Sequence, residues 1–99
     1  MKKNQIKVKL TEFEYSNMLD RINSGVDFNF ELDQLRAFIR MTRNEQADNQ
    51  TKIHNYAIRK EYPDYISSSA AGDWYHGLTL RNQYLKQVRS KAIVLRGAL

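Results

Sequence analysis

The chain has 99 residues, sixteen Lys or Arg against eleven Asp or Glu, and no cysteine. That length holds one domain (1–99) with a single core, and the missing cysteine excludes disulfides, thiolate metal sites and thiol nucleophiles, as a reducing compartment would favour. No apolar run is long enough to cross a membrane and no N-terminal stretch reads as a signal peptide, so a soluble cytoplasmic protein is expected.

In chain order, Gln5, Lys7 and Lys9 alternate with Ile6, Val8 and Leu10, the period of a short strand with one wet and one buried face. Thr11 and Glu14 follow at capping-box spacing, which starts a helix at Glu12 and carries it to about Asn23. Phe13, Tyr15, Met18, Leu19 and Ile22 supply its apolar stripe, and Gly25 stands where a C′ residue belongs. A second helix is expected from an N-cap at Asp27 or Asn29, with Leu32, Leu35, Phe38, Ile39 and Thr42 in helical period as far as Arg43. The polar run 44–50 reads equally as a loop before a third helix at 51–61 or as a solvated turn inside one long helix. Pro63 ends whatever precedes it. The stretch 63–77 reads as loop with at most a short turn of helix, and a last helix is expected from an N-cap at Thr79 to about Arg96. The fold class expected is mainly α: a short N-terminal strand followed by three or four helices around one core, with a strand-helix-helix unit at 5–45 and a helical C-terminal part at 46–99.

Charge is distributed unevenly along these elements. Lys2, Lys3, Lys7 and Lys9 lie in the first ten residues without an acid, and Arg81, Lys86, Arg89, Lys91 and Arg96 lie in 79–99 without one. All the acids fall between, against seven bases. If the two ends meet in the fold they form a surface suited to a polyanion; the plain alternative is a solubilising surface whose charges face nothing.

The segment Gln5-Ile6-Lys7-Val8-Lys9-Leu10, the helix Thr11 to Ile22, and Gly25 to Leu32 together resemble the ribbon-helix-helix family of DNA-binding proteins. The resemblance covers less than half of the chain. It implies a homodimer whose paired strands form a ribbon in the major groove, with Gln5, Lys7 and Lys9 turned to the bases. It also implies a phosphate near the start of the second helix, at Asp27 to Asn29. Against it stands a plain edge strand whose lysines are solvated and guard against aggregation.

Catalysis has little support in the residues. His54 and His76 are far apart in sequence with no spaced carboxylate set, there is no glycine-rich phosphate loop, and Ser67 to Ser69 lie near His76 only in sequence. No enzyme activity, metal or cofactor is expected. The remaining cluster is aromatic: Tyr62, Tyr65, Trp74 and Tyr75 around the expected loop, a composition suited to anchoring a protein partner or stacking on unpaired bases. The simpler reading packs Trp74 into the core.

The function expected is therefore nucleic-acid binding, duplex DNA above RNA, by Gln5, Lys7, Lys9, Lys86, Arg89 and Arg96. Its size and style suit a small regulatory or accessory protein of the kind that phages and mobile elements carry. The alternative is a protein-interaction module or inhibitor that docks on a host or partner protein through Tyr62, Tyr65, Trp74 and Tyr75. No membrane partner is expected.

Overall fold

The computed structural model describes residues 9–25 and 29–99. They form three helices: α1 Glu12–Ser24, α2 Leu32–Arg59 and α3 Ala71–Gly97. The described residues are mainly helical, and none lies in a strand. Gln5, Lys7 and most of the expected strand fall outside the described residues, but Lys9 and Leu10 are described and do not pair. Leu10 instead packs against the helical core, in a groove shared with Met18 of α1 and with Phe30. The alternation read as a strand thus ends in a lead-in to a helix cap, and the strand is withdrawn from the fold.

Local chemistry explains each helix end. The Thr11 hydroxyl accepts from the Glu14 N–H at 3.1 Å, and the Glu14 carboxylate accepts from the Thr11 N–H at 2.8 Å, closing a capping box. Gly25 ends α1 in the left-handed region at φ 72°, where glycine carries no Cβ penalty. α2 starts later than expected, from Glu31 rather than from Asn29; Asp27 lies outside the described residues. Phe30 is buried just ahead of that cap and Leu35 is buried one turn inside, the arrangement of a hydrophobic staple. Gln34 Oε1 accepts from the Glu31 N–H at 2.9 Å.

The run 44–50, left open by the sequence, is continuous helix within α2. The stretch 63–77 is corrected as well: α3 begins at Ala71, so Thr79 is an interior residue and only 60–70 connects the helices. Tyr56 packs against Tyr75 (centroids 4.8 Å apart), Asn49 donates to Asn82 Oδ1 at 3.1 Å, and Glu45 meets Arg81. These pairs fix α2 and α3 as an antiparallel hairpin. α1 lies along one face of it, with Tyr15 near Glu45 and Asn23 near Gln87 and Lys91. The core sits where the three helices meet, built from Met18, Leu19, Ile22, Leu35, Phe38, Ile39, Leu85, Val88 and Ala92. Beyond α1 the hairpin continues alone to the connection at 60–70.

Candidate nucleic-acid interface

α1 divides the hairpin into a covered and an uncovered face. On the covered face the Tyr15 hydroxyl donates to Glu45 Oε1 at 2.8 Å, and Arg81 donates to both Glu45 oxygens, Nε at 2.6 Å and Nη2 at 3.2 Å. One carboxylate therefore ties all three helices. Burial pushes the Glu45 carboxyl up, but the hydrogen bonds from Arg81 and Tyr15 outweigh it and hold it below its ordinary value. Burial, followed by the same carboxylate, pushes the Tyr15 phenol well up. At the other end of α1, Lys91 Nζ donates to the Asn23 carbonyl at 2.8 Å, and Gln87 donates to the Asn23 side chain at 3.0 Å. Arg81 and Lys91, both counted in the basic C-terminus, are thereby engaged in holding the fold.

The uncovered face follows from helical phase, since a residue returns to the same side every 3.6 positions. Phe38 and Glu45 of α2 turn toward Tyr15. Going round α2 away from them brings Ile39, Arg43, Gln46 and Gln50, with Arg36 at the outer edge. On α3, Arg81, Gln87 and Lys91 mark the covered side; going round the other way brings Lys86, Arg89, Ile93 and Arg96. The antiparallel register continued from the Asn49–Asn82 and Tyr56–Tyr75 pairs sets residues 36–43 beside 88–95 at the helical rise. Arg36, Arg43, Lys86, Arg89 and Arg96 consequently share one face.

Among the described residues this face carries no acid. Glu45 is turned to α1, Asp48 pairs with Lys52 at 3.1 Å, and Asp33 and Asp73 fall outside it by the same phase. Arg36, Arg43 and Lys86 are exposed, while Arg89 and Arg96 are half-buried at the seam between the helices. One Arg89 nitrogen, Nη1, is buried without a hydrogen-bond partner, and the Arg89 charge favours the ionised form of Tyr15. Arg89 is thus set deeper than a surface reading of its sequence position implies.

Of the residues singled out in the sequence, Lys86, Arg89 and Arg96 are brought together. Lys9 is exposed but precedes Leu10 in the groove between α1 and the start of α2, away from Lys86, Arg89 and Arg96; Gln5 and Lys7 lie outside the described residues. The second half of the patch, Arg36 and Arg43, was missed. Its signal was present in the sequence as Arg36, Arg40 and Arg43, spaced i, i+4 and i+7 with no acid among 34–44.

The aromatic residues gather at the far end of the hairpin. Tyr56 is the hub, with ring centroids 6.3 Å from Tyr62, 6.0 Å from Trp74 and 4.8 Å from Tyr75. Tyr65 stands apart, 87 % exposed. Trp74 is half-buried in this cluster, not in the main core, which corrects the expectation that it packs there: the hairpin has no third helix at that end to enclose it. Trp74, Tyr62 and Pro63 line a shallow cleft with Lys52, Asn55 and Glu61.

Comparison with protein-family models, curated proteins and solved structures finds no match. Among the described residues no helix is long and apolar enough to cross a membrane, and no group of three His, Asp or Glu residues could hold a metal ion.

Proposed function

We propose that the chain binds duplex nucleic acid, DNA in the first place, as a small regulatory or accessory protein, through the uncovered face of the α2–α3 hairpin. The observation that carries this reading is the segregation of charge: Arg36, Arg43, Lys86, Arg89 and Arg96 on one face with no acid among the described residues there. Lys and Arg neutralise backbone phosphates and release condensed counterions, so such a face gains affinity for any duplex at low salt. The ribbon geometry implied by the sequence resemblance plays no part in the reading, nor does the homodimer that strand pairing would require.

Fluorescence anisotropy of a labelled 20-base-pair DNA duplex, titrated at several salt concentrations, tests it. With phosphate contacts from Arg36, Arg43, Lys86 and Arg96, Arg89 being set too deep to add a full one, the logarithm of affinity is expected to fall against the logarithm of salt with a slope of about −4. Arg36→Ala with Arg43→Ala should reduce that slope by about 2 at unchanged melting temperature, since both positions are exposed. Absence of binding at low salt overturns the reading.

A second reading is supported by the other end of the molecule, where Tyr65 and Ile58 are exposed. Exposed aromatic and aliphatic side chains of this kind anchor protein partners. Binding there would be nearly insensitive to salt and lost on Tyr65→Ala.

A further inference from the structure

The outward ridge of α2 carries an acid-free row that continues past the arginines. Arg36, Arg40, Arg43, Ala47, Gln50 and His54 follow one another at spacings of three or four along a single helix and all are exposed, which puts them on one side of it. Of the acids nearby, Glu45 is tied to Tyr15 and Arg81, Asp48 is paired with Lys52, and Asp33 stands one turn before Arg36, where the row begins. Ala47 leaves a shallow hollow in the ridge, bounded by Gln50, Thr51 and His54. From Arg36 to His54 the row runs about 27 Å at the helical rise, on a rod roughly 10–12 Å across. The major groove of B-form DNA is about 12 Å wide and admits one such helix.

The order of residue types along the row fits a groove better than a flat run of phosphates. A pure phosphate surface needs only cations. Here a short apolar side chain sits between an arginine and a glutamine, one turn away on either side. Arg can donate two hydrogen bonds to guanine, Gln can pair with both groups on the adenine edge, and an alanine methyl can meet the thymine methyl. Flanking the row, Lys86 of α3 lies on the uncovered face, where it would reach the backbone bordering the groove.

Resting on the DNA-binding reading above, we propose that α2 is a major-groove helix, with Arg43, Ala47 and Gln50 facing base edges while Arg36 and Lys86 hold phosphates. The ligand is B-form DNA of preferred sequence. A-form RNA duplexes, whose major groove is too deep and narrow for side chains to read, are excluded from that mode.

The test is selection of bound sites from a random DNA pool by the full chain, followed by affinity for the selected duplex, an unrelated DNA duplex and an RNA duplex of the selected sequence at one salt concentration. The selected DNA should bind at least ~10-fold more tightly than either competitor, as one good bidentate pair allows. Gln50→Ala, and Arg43→Lys, which keeps the charge but loses the two-pronged geometry, should each reduce that preference several-fold without changing the salt slope. If all duplexes bind alike, or if both variants keep the full preference, α2 does not read the groove while phosphate binding stands. If no duplex is bound at low salt, both readings fall together.

Discussion

The two ends of the hairpin are built on different principles. Where α1 lies against it, ten apolar side chains from all three helices and the Phe30 turn close a core, and Phe38, Leu85 and Val88 are fully enclosed. At the far end two helices face each other without a third. The buried residues there are Asn49, Asn82 and Ala71, and half-buried rings around Tyr56 supply most of the contact. Two helices alone cannot surround a side chain, so large rings meeting edge-to-face or tilted across the seam replace a closed core. The two ends therefore hold their shape by different means: one by a closed three-helix core, the other by ring contacts and one polar pair.

The largest expected effect tests that difference directly. Phe38→Ala removes an enclosed side chain where three helices meet and should cost about 3–5 kcal/mol in chemical denaturation, enough to leave little folded protein. Trp74→Ala, at the far end, should cost about half as much because the ring is half solvated already. In the wild type, Trp74 emission should lie between that of buried and of aqueous indole. If Trp74→Ala equals Phe38→Ala in cost, the two ends are one cooperative core and the contrast fails.

The Asn49–Asn82 pair marks the border between the two regions. Either asparagine changed to leucine removes their mutual hydrogen bond and should cost about 1–3 kcal/mol, while changing both should recover only part of the loss, since Asn82 also donates to the Gln46 carbonyl at 3.3 Å. The double variant should then hold its register less firmly, since only the Glu45–Arg81 tie and the Tyr56 cluster remain to fix how far α2 slides along α3. Hydrogen exchange read by mass spectrometry would register this as faster exchange in 50–59 and 71–80 with little change in 35–42. Unchanged exchange in the double variant would assign the register to the Tyr56 cluster and the Glu45–Arg81 tie.

The smallest effect belongs to the Glu45 tie and is a pH effect. The folded carboxyl ionises more readily than an unfolded one, so its contribution is complete above the ordinary carboxylate range and is lost as pH falls through the lower folded value. Glu45→Gln should therefore be less stable than wild type at neutral pH by about 1 kcal/mol, a figure kept small because Arg81 is partly solvated. The gap should close as pH falls below the ordinary carboxylate range and wild-type Glu45 protonates. A gap independent of pH would mean that the Tyr15 and Arg81 hydrogen bonds survive protonation and that charge is not what ties α1 down.

What the sequence determined by itself was local. The Thr11–Glu14 capping box, the left-handed Gly25 and the apolar stripe of the first half of α2 depend on neighbours within one turn and stand as read; the α1 stripe stands except for Phe13, which is 79 % exposed. The run 44–50 could not be settled that way. Its poor intrinsic helix formers are held by partners far along the chain, Glu45 by Tyr15 and Arg81 and Asn49 by Asn82. The same holds for 71–78, where two glycines argue against a helix but Trp74 and Tyr75 pack on Tyr56 and extend it. Leu10, alternating like a strand residue, is claimed by the helical core instead. The candidate interface divides along the same line. The spacing of Arg36, Arg40 and Arg43 was legible, because helical period is local. That Arg36 and Arg43 share a face with Lys86, Arg89 and Arg96, and that α1 covers the opposite face, was decided by the antiparallel register of α2 and α3, which long-range side-chain pairs fix and no local pattern encodes.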